Sequence, residues 1–532
     1  MTLYNWQEEC LKSINGHNAI ISAPTGSGKT KVAYIWMDVK GAIQNKHKII
    51  YTVPIKALAN EKVDELIRLY GKEHVGIETG DIKKRENSPI LVCTQEIYAR
   101  KYAQMKQAIK LIIDEFHFIF TARDRSRAYI DGIRYAQKTH NILILSATLG
   151  NPMKVKNYLQ RTTNKNFVLY ETDYRPTKLE FTNTEFTLED IPPFSLVYIF
   201  NIKVIEKICT YLTTIRPVLP TLKRRKIKRI ADAYRINLEK FPEIFHGVAK
   251  YHSKLTFTEK RFIERLVREK FIDVIFATSA LGVGINLPFE YVLFGNLLIP
   301  TGNKGSTEIR PLTKIDFIQL AGRAGRKGYF DTGYVALLNH GFIPYETQSE
   351  RRNLYLSLLN APMEEPEIKL SPDVERIIKG KTTIEEEVDY IKKFSEPEPS
   401  DLEIDVIIRE LTRIKNTVDS LRQEEREILK IFYFPFLSVD ENIALAVTIA
   451  SKFNAGDLYN NTIHIDANEL TFITDNDEVK TLFKKKKVLE AFRNNEYKGK
   501  PFEISGLEKI IEEIKQKDPL LFEVGEGDEL GL

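Results

Sequence analysis

Three cysteines in 532 residues, Cys10, Cys93 and Cys209, lie far apart in the chain. That spacing argues against a CxxC-type metal site, an iron–sulfur cluster or a disulfide framework. Long hydrophobic runs are also missing. The longest, such as 142–145 and 194–200, fall well short of the roughly 20 residues a membrane span needs, so no membrane partner is expected. The opening residues MTLYNWQEEC lack the basic-then-apolar order of a secretion signal, and a cytoplasmic location is expected. Charge of one sign is scarce: 78 Lys and Arg against 73 Asp and Glu leave a net +5. This excess is compatible with a polyanionic partner without demanding one.

The hydrophobic fraction of 43% is ample for sizeable cores, and the length suits about three domains. In the first third, HNAIISA, HKIIYTVP, PILVCT, IKLIIDE and NILILSAT are short, β-branched-rich and separated by helix-length segments. That is the pattern of buried strands in a parallel sheet covered on both faces. FSLVYIF, IDVIFATS, YVLFGNLL and GYVALL repeat it in the middle third, with a joint expected at 174–193, where Pro176, Pro192 and Pro193 fall. After about Ser349 the texture changes. Pro362, Pro366 and Pro372 punctuate an acidic connector, SEPEPS (395–400) resembles a short stiff linker, and the remainder reads mostly helical. Thr383 with Glu386 fits a capping box. Ile407, Leu411, Ile414, Val418, Leu421 and Ile428 keep a near-heptad spacing, read as one face of a packed helical domain. The last residues, EVGEGDELGL, read as a loose tail. The fold class is therefore α/β: two tandem parallel-sheet domains (1–178 and 179–348) followed by a mostly helical accessory domain (349–532). Two basic runs, TLKRRKIKR (221–229) and KKKK (484–487), are either a nucleic-acid path or plain solvated surface.

Chemistry concentrates in a few motifs. APTGSGKT (23–30) stands between an apolar strand and a helix-like segment. A polyanion is bound in that context, where a Gly-rich loop turns its backbone N–H groups toward a helix N-terminus. Thr25, Gly26, Ser27 and Gly28 form the loop. Lys29 would reach the β- and γ-phosphates, and Thr30 would hold Mg²⁺. IKLIIDEFH supplies the acidic half: Asp114 to bind Mg²⁺ through water, Glu115 to take the proton of the attacking water, and His117 to couple the site to its surroundings. Together the two motifs make Mg²⁺-dependent nucleotide hydrolysis the expected chemistry, with ATP the nucleotide that the resemblance below implies.

APTGSGKT, DEFH, SAT (146–148), ATSALGVGINLP (277–288) and QLAGRAGRKG (319–328) occur in that order. The set resembles the superfamily 2 DExH helicases, most of all their superkiller-like branch, which includes exosome RNA helicases and archaeal DNA-repair helicases. TVPIKALANEK (52–62), TGD (79–81), Tyr-Arg-Pro (174–176) and the stretch around YHSKL (251–255) support the branch, over residues 1 to about 345. Where the branch has two histidines, Tyr251 precedes His252 here. The resemblance implies RecA-like domains and specific roles. Gln7 would read adenine. Ser146 and Thr148 would link hydrolysis to domain movement. Thr278, Gly282 and Gly284 would sit at the cleft, and Gln319, Arg323 and Arg326 would reach the phosphates from the second domain. Pro54, Lys56, Gly80, Thr94 and Thr278 would grip the sugar–phosphate backbone, a sequence-tolerant contact. A β-hairpin within 300–314, with Gly302, Asn303 and Gly305 at its tip, would wedge duplexes apart; turn chemistry alone equally allows a surface loop.

The expected activity is ATP-dependent 3′-to-5′ translocation on single-stranded or partly duplex nucleic acid, DNA slightly favoured over RNA, in repair, recombination or defence. Two alternatives stand beside it. One is a helicase subunit of a CRISPR or antiviral nuclease system, lending its motor to a nuclease partner. A built-in nuclease of the His-Asp type is not expected, because none of the nine histidines precedes Asp. The other is a nucleotide-dependent clamp that does not move, which the presence of both arginines and Glu115 argues against.

Overall fold

Apolar four- to seven-residue runs become strands, and polar amphipathic stretches become the helices between them. The computed structural model describes residues 3–431 except 81, 122, 148, 253, 279–286, 302–307 and 344, and beyond them residues 433, 439–440, 442–443, 446–447, 463–466 and 502–505. The first sheet contains β1 (Ala19–Ser22), β2 (Lys48–Val53), β3 (Val75–Glu78), β4 (Lys83–Lys84), β5 (Ile90–Thr94), β6 (Ile109–Ile113), β7 (His140–Ser146) and β8 (Val168–Glu171). Their order is β4-β3-β5-β2-β6-β7-β1-β8, parallel except for β4. β1, β2 and β5 are buried throughout, which is why their sequences run apolar instead of alternating.

The second sheet contains β9 (Lys178–Phe186), β10 (Ser195–Tyr198), β11 (Val248–Tyr251), β12 (Val274–Ala277) and β13 (Tyr291–Phe294). After the pair β14 (Leu298–Thr301) and β15 (Glu308–Pro311) it is completed by β16 (Thr332–Leu338). Its order is β11-β12-β10-β13-β16-β9, all parallel. The joint is shorter than the 174–193 expected, since β8 ends at Glu171 and β9 begins at Lys178. β9 reads KLEFTNTEF, an edge strand with no residue fully buried, so it lacks the apolar run that marks central strands. Tyr355 and Leu358 of the helix Gln348–Asn360 belong to the core of this second domain.

β14 and β15 pair antiparallel, Leu298 opposite Pro311 and Thr301 opposite Glu308. The segment expected as a wedge therefore has a hairpin stem; Gly302, Asn303 and Gly305 lie outside the described residues. Both α/β domains fall in one contact unit, residues 1–79, 83–121 and 128–366.

A second unit groups residues 80–82, 122–127 and 367–532. Among the described residues beyond 366 its helices are Val374–Ile378, Ile384–Phe394, Asp401–Ser420 and Gln423–Ile431. The Thr383–Glu386 capping box forms, each residue donating a backbone N–H to the other's side chain at 2.9 and 3.1 Å. Ile404, Leu411, Ile414 and Val418 are buried along one helix face, whereas Ile407 of the expected stripe is only half-buried. SEPEPS is not a plain linker. Ser395 is buried, Glu396 exchanges two backbone hydrogen bonds with Ile368 (2.6 and 2.8 Å), and Ser400 caps the next helix. Arg127 holds the buried Glu387 with two hydrogen bonds of 2.6 and 3.1 Å. β17 (Ile463–Asp466) and β18 (Phe502–Ser505) pair parallel, carried by the two-residue alternation in IHID and FEIS. The KKKK run and the C-terminal tail lie outside the described residues. Among the described residues no helix is long and apolar enough to cross a membrane.

Candidate active site

Because β1, β2, β5, β6 and β7 run parallel, whatever follows their carboxyl ends collects along one edge of the sheet, where open α/β sheets bind ligands. The loop 23–28 follows β1, Pro54 follows β2, Thr94 ends β5, Asp114 follows β6 and Ser146 ends β7. Gly80 follows β3 in the chain.

The loop is held in the shape a phosphate needs. Gly26 (φ 84°) and Gly28 (φ 96°) adopt left-handed backbone that side chains rarely tolerate, and Gly28 opens the helix Lys29–Met37. Ser27 N donates to Pro24 O at 3.1 Å, and Ala23 N to Ser146 O at 3.2 Å. The Ser27 hydroxyl and the Lys29 ammonium are buried, and the hydroxyl has no hydrogen-bond partner among the described residues. A buried donor and a buried cation beside free helix N–H groups fit a phosphate anion.

Gln7 is buried against the loop. Its Nε2 donates to Gly28 O at 3.0 Å, and its Oε1 accepts from Tyr4 N at 3.0 Å. Tyr4 packs between Tyr174, with ring centroids 4.9 Å apart, and the Lys327 ammonium, 4.1 Å from its ring. The expected adenine reader thus stands at the loop with an aromatic–cation stack beside it. Tyr4, Tyr174 and Lys327 had no assigned role in the sequence; their signal was only proximity to Gln7 and to QLAGRAGR.

Asp114 is buried and doubly held: Oδ2 accepts from the Tyr51 hydroxyl at 2.6 Å, and Oδ1 from Glu115 N at 2.9 Å. Burial and the adjacent Glu115 charge push its carboxyl above the ordinary aspartate range. Glu115 sits in left-handed backbone (φ 51°), strain of the kind found at functional positions. Burial works to raise its pKa, but the charges of Lys29, His117, Arg323 and Lys62 outweigh it and hold Glu115 below the usual range. An ionised, buried carboxylate suits a proton acceptor. His117 lies 3.4 Å from Glu115, and burial depresses its pKa. No group of three or more His, Cys, Asp or Glu side chains placed to hold a metal occurs among the described residues. Mg²⁺ suits such a place, because it commonly takes one carboxylate together with substrate phosphates and water.

The second domain meets this edge through QLAGRAGR. A Cβ on Gly322 would lie 3.1 Å from Thr25 Cβ of the loop, so the two motifs are in contact. Arg323 is near enough to depress Glu115, and burial with the Arg323 charge lowers Arg326 to about 10. The Gln319 amide nitrogen is buried with no hydrogen-bond partner among the described residues, as is the Ser146 hydroxyl. Two residues of the inter-domain segment brace this loop. Arg175 Nη2 donates to the carbonyls of Gly322, at 3.2 Å, and Ala324, and Thr177 Oγ1 donates to Gly325 O at 2.5 Å. Gly325 (φ 67°) packs so closely on Gly333 that a Cβ would meet its N at 2.5 Å.

Lys56 begins the helix Lys56–Tyr70, and Thr278 N donates to Tyr251 O at 3.2 Å just past β12. Thr148, Gly282 and Gly284 lie outside the described residues. Sequence reasoning missed the support behind Asp114. Lys62 Nζ donates to the Tyr34 hydroxyl and to Glu65, both at 2.9 Å, and stands 5.0 Å from the Tyr51 ring. A tyrosine inside the otherwise apolar strand HKIIYTVP was the available signal.

Comparison with known families agrees. The DEAD/DEAH box helicase family matches residues 4–155, and the helicase conserved C-terminal domain matches residues 204–328. Similar proteins include the DExH-box ATP-dependent RNA helicase DExH9 of Arabidopsis thaliana, 25% identical over 63% of this chain and 41% of its own. The U5 small nuclear ribonucleoprotein 200 kDa helicase of Homo sapiens is 29% identical over 67% of this chain and 19% of its own. The ATP-dependent DNA helicase Hel308 of Thermoplasma acidophilum is 29% identical over 67% of this chain and 54% of its own. The chain thus spans between a fifth and about half of these relatives. With both helicase domains matched, the chain belongs to the superfamily 2 DExH helicases, and its relatives are consistent with their superkiller-like branch.

Proposed function

We propose that this chain is an ATP- and Mg²⁺-dependent translocase that moves 3′-to-5′ along single-stranded nucleic acid and unwinds or remodels duplexes. The carrying observation is the contact of Gly322 with Thr25, which places Arg323 within the field of Glu115. A guanidinium that reaches the γ-phosphate only from the second domain makes hydrolysis depend on closure of the cleft. Lys29 would bind the phosphates and Gln7 would select the base. Thr30 and Asp114 would hold Mg²⁺, which neutralises phosphate charge when bound. Glu115 would take the proton from water, and Arg323 and Arg326 would stabilise the transferring phosphoryl group. Pro54, Lys56, Gly80, Thr94 and Thr278 would grip the strand backbone, so that closing and opening advance it. The 3′-to-5′ polarity rests on the branch. The relatives' names include both RNA and DNA helicases, so the polymer is to be decided by measurement.

The test is steady-state ATP hydrolysis by the protein alone, with single-stranded DNA and with single-stranded RNA, followed by unwinding of duplexes with 3′ or 5′ tails. Strong stimulation by one polymer and unwinding from the 3′ tail are expected. A low rate unchanged by either polymer would replace this reading with a clamp or a partner-dependent motor.

A further inference from the structure

The helix Thr221–Ala233 reads TLKRRKIKRIADA. Its six cations against one carboxylate give it a formal +5, equal to the formal charge of the whole 532-residue chain. The other 519 residues are therefore balanced, and the protein's positive excess sits on this one helix.

Packing explains one face and leaves the other open. Ile227, Ile230 and Ala231 are buried in the core of the second domain. Arg224 is tied down, donating to Leu219 O at 3.0 Å and to Thr221 Oγ1 at 3.2 Å, and Lys223 faces Asp273. Arg225, Lys226, Lys228 and Arg229 are exposed and make no hydrogen bond or ion pair among the described residues. At about 1.5 Å rise per residue these four cations fall within roughly 6 Å of helix axis. At spacings of three and four residues they repel one another. The result is a band of unneutralised charge, suited to a polyanion recognised by charge.

Its place in the fold separates it from the nucleotide cleft. Leu219, just before the helix, donates to Phe245 O at 2.7 Å ahead of β11, and Asp273, facing Lys223, lies ahead of β12. His252 and Thr278 follow the opposite, carboxyl ends of those strands. The helix therefore begins at the far end of the second sheet from the motif residues.

We propose that the outer face of the helix Thr221–Ala233 is a second nucleic-acid contact, taking the phosphodiester backbone of a strand or duplex outside the cleft without reading bases. It rests on the reading of the chain as a nucleic-acid motor, and adds a site that the helicase motifs do not include. Its role is to hold the flank of the bound polymer while the cleft opens.

The test uses the full chain with Arg225→Gln, Lys226→Gln, Lys228→Gln and Arg229→Gln combined. None of these side chains is buried, so the fold is retained. Fluorescence anisotropy with single-stranded and tailed-duplex DNA and RNA is followed from about 50 to 200 mM salt, the range over which phosphate contacts are lost. The slope of log K against log salt should become shallower by about 3, from the 0.7–0.9 released per phosphate contact. Low-salt affinity should fall at least tenfold, and ATP turnover at saturating polymer should stay unchanged. Lys29→Ala should lose turnover yet keep the wild-type slope. A wild-type slope in the fourfold variant overturns the site, whether the face is plain surface or docks an acidic protein. Wild-type protein that binds no polymer at any salt overturns the motor reading, and this site with it.

Discussion

The Tyr51 hydroxyl donates a 2.6 Å hydrogen bond to Oδ2 of Asp114, joining the middle of β2 to the residue that follows β6. This bond fixes the carboxylate that would hold Mg²⁺ and favours its ionised form against burial. Tyr51→Phe removes one charge-assisted bond in the interior, a loss of about 1.5–3 kcal/mol. Half-saturation by Mg²⁺ should rise at least tenfold, and the acid limb of the pH–rate profile should move to higher pH. ATP hydrolysis titrated with Mg²⁺ at several pH values reads both. An unchanged Mg²⁺ requirement would show that Asp114 needs no such support.

Much of the fold was legible because buried parallel strands carry their signal in their own residues: IIYTV and LVCT are mostly apolar, with few polar side chains. Edge strands do not. β8 and β9 are half-exposed, so nothing in VLYE or KLEFTNTEF separates them from a loop. Of the candidate site, the residues expected to meet phosphate were visible because such a ligand would dictate their spacing. Those that orient them, Tyr51, Tyr34, Lys62, Arg175 and Thr177, act through contacts distant in sequence, which no local pattern encodes. The same holds for Ser395–Ser400, whose prolines suggest a linker while the backbone pairing of Glu396 with Ile368 builds it into its unit.

Glu115→Gln tests the proposed proton acceptor. Lys29, His117, Arg323 and Lys62 keep Glu115 ionised despite its burial, and glutamine matches its shape without its basicity. Hydrolysis should fall about 10²- to 10⁴-fold, while binding of a fluorescent ATP analogue stays within a few-fold of wild type. Lys29→Ala should lose turnover through phosphate binding instead. Turnover surviving in Glu115→Gln would remove this residue from the role of base.

Glu243 makes stability depend on pH. It is 2% exposed, and burial raises its carboxyl to about 7, with Lys250 only partly offsetting the effect. Being raised above its unfolded value near 4.5, it keeps its proton in the folded state after the unfolded chain has released it. Its stabilising contribution is complete below about pH 4.5 and is lost as pH rises toward 7, by about 3 kcal/mol at 1.36 kcal/mol per unit. Urea midpoints of wild type and Glu243→Gln, compared from pH 5 to 7.5, should diverge in favour of the variant as pH rises. A constant difference would mean that Glu243 is ionised throughout.

Arg326→Ala separates binding from chemistry. Even lowered to about 10, the guanidinium stays charged at neutral pH beside Arg323. If it acts on the phosphoryl group only in the closed cleft, kcat should drop about 10³-fold or more with KM for ATP within a few-fold. Loss of ATP binding with kcat intact would make it a ground-state contact.

Arg175 is a positioning residue for Arg323. It lies between the two domains, and its Nη2 holds the carbonyls on either side of Arg323, those of Gly322 and Ala324. Burial lowers its pKa to about 10, so it remains a cation in an enclosed place. A lysine keeps the charge but not the rigid planar group that sets the nitrogen between the two carbonyls. Arg175→Lys and Arg175→Ala should therefore both lower kcat, by about tenfold or more if each lost hydrogen bond costs about 1 kcal/mol, with ATP affinity nearly unchanged. In an Arg323→Ala background the same substitutions should add little further loss, because the residue they position is gone. Full additivity would assign Arg175 to general inter-domain packing, and rescue by lysine would assign its effect to charge alone.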